Sequence, residues 1–302
     1  MDRFQSMNVF IAVAEEQGFA AAARRLNMSP PAVTRAIAAL ENRLGVMLLN
    51  RTTRYVRTTE AGSRYLDDAR RVIAEAEAAD EAVAGINTEP HGHLSVTAPL
   101  MFGRLFVTPV IVKYLQSYPQ TEVSAVFVDR VTNLLEEGFD VGVRIGELPD
   151  SSMRAIRVGS VRHVICASPG YLARQGTPQT IDDLGDHDII NSSAGSDGLS
   201  DWKFETARGP RYLRIRPRLT VTSNDAAIEA VKQDFGVSRL LCYQVAAEIA
   251  EQRIKIILEN YEPKPRPIHI IHREGRFASA RVRCFIDFLT ENLRSNLLPG
   301  PQ

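Results

Sequence analysis

Only three cysteines and one tryptophan occur among the 302 residues. Cys166, Cys242 and Cys284 stand far apart, with neither a Cys-x-x-Cys pair nor metal-ligand spacing. That excludes a disulfide framework and a thiolate metal centre, and leaves buried thiols in a reducing cytoplasm, with a redox switch as the alternative. No apolar run approaches the roughly 20 residues that cross a bilayer. The apolar stretch from Met7 to Ala14, closed by Glu15 and Glu16, is too short for a signal peptide and has no cleavage motif. Six histidines, His91, His93, His163, His187, His269 and His272, form no His-Glu-x-x-His or comparable pattern. His269 and His272 lie in a strand-like segment at a spacing that sends them to opposite faces. The residues therefore offer no catalytic pair, no metal site and no cofactor motif.

A net charge is missing too, with 36 Lys and Arg against 36 Asp and Glu. The distribution is uneven. Residues 1–62 hold eight arginines, five carboxylates and no lysine; residues 63–89 hold three arginines against seven carboxylates. A basic head, an acidic connector and a neutral body read as separately tasked segments.

In the head, Met7, Phe10, Ile11 and Ala14 predict one face of a first helix, stopped by Gly18. Phe19, Ala22, Ala23 and Leu26 form the inner stripe of a second, whose four alanines from Ala20 to Ala23 allow close helix approach. Asn27 and Met28 make a turn. Ser29 caps a third helix with Pro30 at its first position, where no N–H is needed. Val33, Ile37, Leu40 and Leu44 share its buried face, and Pro31, Thr34, Arg35 and Ala38 share the opposite one, before Gly45 ends it. Small or hydrogen-bonding residues near the start of such a helix are placed to meet base edges in a major groove. Val46 to Leu49 and Val56 to Thr58 then predict a short hairpin carrying Arg51, Thr52, Thr53, Arg54 and Arg57, suited to phosphate or minor-groove contact.

Thr59 caps a further helix. Tyr65, Ala69, Val72, Ala76, Ala79, Val83 and Ile86 follow at heptad a and d spacing between charged flanks, which predicts a self-associating helix. Residues 87–92, NTEPHG, end it. Alternation follows: strands at His93–Ala98, Glu122–Val128 and Asp140–Arg144, with helices from Pro99 to about Tyr118 and from Val131 to Glu137. A second block, about 163–264, includes the strand Leu219–Thr222 and the helix Asn224–Asp234. The strand Pro267–His272 and a helix from about Ala278 to Leu293 return to the first block. Such a pattern implies α/β sheets with ligand space at the carboxyl ends of their strands.

Taken together, GFAAAARRLN, MSPPAVTRAIAALENRLG, LLNRTTR and TEAG resemble the winged helix-turn-helix of LysR-type transcriptional regulators. APLMFG, GFDVGVRIG, ASPGYL, DDLGDHDII and RFASARVRCFIDFL resemble landmarks of that family's effector domain, so the likeness covers the whole chain. The resemblance implies an α+β, multi-domain protein. Residues 1–62 would form a winged helix-turn-helix, 63–90 a long dimerisation linker helix, and 91–302 a two-lobed α/β effector domain resembling type 2 periplasmic binding proteins. Lobe 1 is expected at about 91–162 and 265–295, and lobe 2 at about 163–264.

By the same resemblance, Ser29, Pro30, Pro31, Thr34 and Arg35 sit in the major groove, and Arg51, Thr52, Thr53 and Arg54 lie in the wing against backbone and minor groove. Two protomers on a two-fold axis imply an inverted-repeat operator, with association to a dimer and on to a tetramer. The effector crevice is expected at Pro99, Leu100, Met101, Phe102, Arg144, Asn191, Ser192, Ser223, Asn224 and Ser238. The backbone N–H groups of Leu100 to Phe102 at a helix start suit an anion. Arg144 suits a carboxylate, or pairs instead with Asp140 or Glu147; Ser223 and Asn224 cradle an anion, or simply cap a helix.

Departures from the family pattern limit what carries over. Pro30 stands where glutamine is frequent, which removes a bidentate donor for adenine. Leu49 replaces a common phenylalanine, Thr58 the usual leucine, and Cys242 a frequent proline. The expected function is a cytoplasmic DNA-binding regulator answering to a small organic anion, needing no cofactor, metal or membrane. The alternative is a small-molecule binding protein or enzyme on the two-lobed fold, which the DNA-binding head disfavours.

Overall fold

A computed structural model describes residues 2–51, 56–84, 89–148, 153–193, 201–273 and 279–296. The chain divides into two compact units, Met1–His93 with Gly275–Arg283, and Leu94–Glu274 with Cys284–Gln302.

In the first unit, helix α1 (Arg3–Glu15) is capped by Asp2, whose side chain accepts from the Phe4 N–H. Its buried face is Ser6, Val9, Phe10, Ala12 and Val13, not the face through Met7, Ile11 and Ala14. Residues 9–14 are apolar all round, so spacing could not select a side; packing against the next helices did. Helix α2 (Phe19–Arg25) buries Ala22 and Ala23, and Asn27 turns the chain with a left-handed φ of 51°. Helix α3 (Pro30–Leu44) is capped by Ser29, whose hydroxyl accepts from Ala32, and buries Val33, Ala36, Ile37 and Leu40. Leu44 is exposed, because the helix ends one residue later at Gly45 and no element covers that turn.

The hairpin pairs β1 (Leu49–Arg51) with antiparallel β2 (Val56–Thr58), so its first strand begins three residues later than the apolar pattern predicts. Val46 and Met47 are exposed. The chain before β1 is instead held by Glu41 of α3, a buried carboxylate that accepts from the Leu48 and Leu49 N–H groups at 2.8 and 3.1 Å. Thr59 caps α4 (Glu60–Ala84) through the Gly62 N–H at 2.9 Å. A Cβ at Gly62 would lie 1.9 Å from the Leu48 carbonyl oxygen, so only glycine lets α4 start against the chain entering β1. Phe10 meets Tyr65 of α4 at 5.4 Å between ring centres, and Ala69 is fully buried. The side chains of Ala79 and Val83, and Ile86 altogether, lie outside the described residues, as do Asn87 and Thr88.

The second unit contains two five-stranded sheets. Sheet one runs β4-β3-β5-β14-β6, from β3 (Gly92–Ala98), β4 (Thr121–Phe127), β5 (Val141–Ile145), β6 (Met153–Val161) and β14 (Arg266–Arg273). β3 and β5 pair in parallel, and β14 lies antiparallel between β5 and β6. Sheet two runs β11-β8-β12-β7-β13, from β7 (His163–Ala167), β8 (Ile189–Ser192), β11 (Pro217–Val221), β12 (Val237–Leu241) and β13 (Lys255–Ile257). The chain passes from the first sheet to the second after β6 and returns at β14. A separate antiparallel hairpin, β9 (Asp201–Thr206) and β10 (Gly209–Arg214), buries Trp202 and Phe204 in the core under sheet two.

Helices α5 (Leu100–Phe102) and α6 (Thr108–Ser117) follow β3 as one rod joined by a π-helical turn at Gly103–Val107. Helix α7 (Pro169–Gln175) follows β7, α8 (Asn224–Lys232) follows β11, and α9 (Ala246–Ala250) precedes β13. Within α10 (Ala280–Asn296), Phe285 is buried against Tyr114 of α6, 5.1 Å between ring centres. Residues 131–133 are irregular and 134–138 form turns, so the expected helix from Val131 to Glu137 is absent. Asn133 accepts from the Leu135 N–H at 3.1 Å and Glu137 accepts from the Asn133 N–H at 3.0 Å, so side chains take the groups a helix would pair.

Candidate nucleic-acid interface and effector crevice

The cap at Ser29 fixes where α3 begins, and the buried stripe fixes how it is rolled. Ser29, Pro30, Pro31, Thr34 and Arg35 then all lie exposed near its start. The Thr34 hydroxyl donates back to the Pro30 carbonyl at 3.0 Å. Arg35 has no hydrogen-bond or ion-pair partner among the described residues. Its neighbour in the basic set, Arg25, is committed: it pairs with Glu15 at 2.7 Å, and Arg70 of α4 holds the same carboxylate at 2.6 Å. Burial works to raise the Glu15 pKa, but the hydrogen bonds from Arg70 and Arg25 outweigh it and hold the carboxyl below its usual range. Arg51 closes β1, while Thr52, Thr53 and Arg54 lie outside the described residues.

In the second unit the two sheets meet at the α5 rod. Met101 packs into the cluster of Ile190, Ala227 and Val231. Phe102 and Phe106 meet Tyr243 edge-on at 5.5 and 5.7 Å, and Arg104 pairs with Asp225 at the start of α8 at 3.2 Å. The close fit extends to Gly103, where a Cβ would sit 2.4 Å from the Phe127 ring. Burial, with the Asp129 charge adding to it, pushes the Tyr243 phenol above its usual range. This region lies where the sequence places the effector crevice, at the strand ends.

Several of the polar groups expected there are already engaged. The Leu100 N–H donates to the Asp129 carboxylate at 3.0 Å, so the helix start holds the chain's own anion. The Pro99 carbonyl accepts from Gly103 at 2.7 Å. Arg144 pairs with neither Asp140 nor Glu147 in this geometry: it donates to the Thr132 carbonyl and hydroxyl and, at 3.5 Å, to the Arg130 carbonyl. Burial lowers its pKa from the ordinary arginine value. Arg144 therefore fastens the loop that carries Asp129. Asn191 and Ser192 stand half-buried at the carboxyl end of β8. Ser223 caps α8 by accepting from Ala226 at 3.4 Å, with Asn224 as the first helical residue. Ser238 is fully buried and donates to the Ile190 carbonyl at 3.0 Å, joining β12 to β8. Asp129, Phe106, Tyr243 and the Arg104–Asp225 pair were not legible in the sequence; their partners lie 29 to 141 residues away and no local pattern marks them.

Comparison with known proteins gives this geometry its context. A model described as "Bacterial regulatory helix-turn-helix protein, lysR family" matches residues 4–63, and one described as "LysR substrate binding domain" matches residues 87–294. The chain belongs to the LysR family. The regulator is 34% identical to the HTH-type transcriptional regulator CrgA of Neisseria meningitidis over 295 residues, covering 97% of this chain and 98% of CrgA. It is 30% identical over 295 residues to the HTH-type transcriptional activator AaeR of Escherichia coli, covering 96% and 94%. The solved structure of CrgA matches with a TM-score of 0.62 at 32% identity, covering 96% of this chain and 98% of that one. The regulator is thus a DNA-binding transcriptional regulator with an N-terminal helix-turn-helix and a C-terminal effector-binding domain. No helix among its described residues is long and apolar enough to cross a membrane.

Proposed function

We propose that the regulator reads an inverted-repeat operator with the start of α3, and that a small organic acid in the crevice sets how it does so. The observation that carries the first half is the exposed, partnerless Arg35 on a helix whose start is fixed by the Ser29 cap. Ser29, Pro30, Pro31 and Thr34 flank it toward the base edges, and Arg51 with Thr52, Thr53 and Arg54 meets the backbone from the wing. Two protomers associate through α4, and pairs of dimers through the body, so that the heads lie on a two-fold axis. The regulator acts in the cytoplasm and carries out no catalysis. Arg35→Ala is expected to lose footprinting on a duplex selected from random sequence by the full-length protein, with its thermal midpoint unchanged. An unchanged footprint contradicts the assignment.

For the second half, the support is the Asp129 carboxylate on the Leu100 N–H. A helix start that already holds a carboxylate is suited to an acidic effector, which enters by displacing Asp129 and separating the Phe102, Phe106 and Tyr243 rings. The changed pose of the two lobes then alters the spacing of the heads. Asp129→Asn weakens the internal competitor. In a thermal-shift screen of small aromatic acids, its apparent affinity for any hit is expected to rise about fivefold, the equivalent of about 1 kcal/mol of charge-assisted hydrogen bonding. Unchanged or weaker affinity contradicts displacement.

A further inference from the structure

The most arginine-rich acid-free stretch of the chain is not in the head. Residues 206–224 hold five arginines, Arg208, Arg211, Arg214, Arg216 and Arg218, and no aspartate, glutamate or lysine. Within it, Arg208, Arg211, Tyr212, Leu213 and Arg214 repeat the order and spacing of Arg51, Arg54, Tyr55, Val56 and Arg57 in the wing. Both read Arg-x-x-Arg-Tyr-aliphatic-Arg and both end on the second strand of a two-stranded antiparallel pair; the first begins at Arg51, the last residue of β1, and ends on β2, and the second begins in the turn after β9 and ends on β10. The orientation matches as well. Val56 is 9% exposed and Leu213 packs on the core under sheet two, while Arg57 and Arg214 face outward.

Beyond the strand the alternation continues, with Tyr212, Arg214, Arg216 and Arg218 exposed and Ile215 buried. Tyr212 is 65% exposed, far more than a ring serving the core. Arg211 is tied to Asp182 and Arg218 to Asp188. The side chains of Arg208, Arg214 and Arg216 have no hydrogen-bond or ion-pair partner among the described residues. Extended backbone advances about 3.3 Å per residue, so Arg214 and Arg216 start about 6.6 Å apart, close to the axial distance between a phosphate and the next but one on the same strand of B-DNA, about 6.8 Å.

We propose that this hairpin is a second DNA contact, in which Arg208, Arg214 and Arg216 meet phosphates flanking the operator and Tyr212 lies against the sugar–phosphate edge. DNA is favoured over an acidic protein because the row is arginine with an interleaved aromatic, repeats the wing's own pattern, and belongs to a chain whose family binds DNA. Such a contact carries no sequence information; it adds affinity and fixes the path of the flanking duplex. The proposal rests on the reading of the wing as a backbone contact, and the test below separates the two.

Full-length protein and the Arg214→Gln/Arg216→Gln variant are titrated from 50 to 200 mM salt against two duplexes, a range over which phosphate contacts tell strongly. One is the randomly selected operator trimmed to the head footprint; the other adds about 20 base pairs, two helical turns, on each side. On the long duplex the slope of log affinity against log salt is expected to fall by about 0.9 for each arginine removed, with no change on the short one. Arg214→Lys/Arg216→Lys keeps the charge and is expected to restore the slope, which separates a lost phosphate contact from a folding defect. Equal slopes for wild type and the glutamine variant on the long duplex overturn the proposal. So does a photocrosslinking residue at position 212 that joins only to protein. Loss of sequence preference by the wild type would overturn the head reading alone, since the slope difference on long DNA needs none.

Discussion

The outer face of α3 in the head and the strand ends beside α5 in the body treat their polar side chains in opposite ways. In the head, Glu41 holds two backbone N–H groups from within the core, and Asp2, Ser29 and Thr59 cap helices. What remains on the outer face of α3, Arg35 above all, is unused by the fold. In the body, Arg144, Ser223, Ser238 and the Leu100 N–H each have an internal partner. A rigid reader of DNA can leave its contacts pre-exposed. A sensor that exists in two arrangements satisfies its polar groups internally until a ligand replaces them.

The comparison breaks first at Glu41. If that carboxylate carries the link between α3 and β1, Glu41→Ala strands two buried N–H groups and costs the head about 3 kcal/mol, read as a lower urea midpoint for its unfolding. A change below about 0.5 kcal/mol, the range of ordinary surface substitutions, would make Glu41 incidental. In the body, Arg144→Ala frees the Arg130 and Thr132 carbonyls and is expected to lower body stability by about 2 kcal/mol, as for a lost charged hydrogen bond. Operator affinity without ligand should hold. Unchanged stability would mean that Arg144 waits for an effector, as its sequence position first suggests.

The smallest effect sharpens the picture of the head. Because Arg70 and Arg25 depress the Glu15 pKa, their pairing stabilises the native head above the ordinary glutamate range, about pH 4.3. It is lost as pH falls through the lowered native value. A stability profile from pH 6 to 3 should therefore be steeper for wild type than for Glu15→Gln, and the difference should shrink at high salt because the group is partly exposed. Identical profiles would leave the pair without weight.

Legibility followed the same divide. Caps, glycine stops and the stripe through Val33, Ile37 and Leu40 are local, so the head's elements could be read from spacing. The roll of α1 could not, because an all-apolar helix names no face. Glu41 was missed because a charged residue in a helix reads as exposed until its partners arrive from seven and eight residues on. In the body, strands β3, β5 and β14 fell close to their apolar runs, but the turns at 134–138 and the hairpin β9–β10 depended on side-chain hydrogen bonds and packing that no period records. Junction position alone points to a crevice near Leu100 and Ser223. The neighbours of Leu100 and Phe102 there, Asp129 and Tyr243, are visible only after folding.

The central claim is that Arg35, which the fold leaves free near the start of α3, reads DNA. Fluorescence anisotropy of the selected operator duplex with full-length Arg35→Ala tests it most directly. The account predicts affinity reduced roughly 10- to 100-fold, the 1–3 kcal/mol of a specific base contact, with binding to unrelated duplex nearly unchanged. Equal loss on both duplexes would make Arg35 a phosphate contact, and no loss on either would contradict the account.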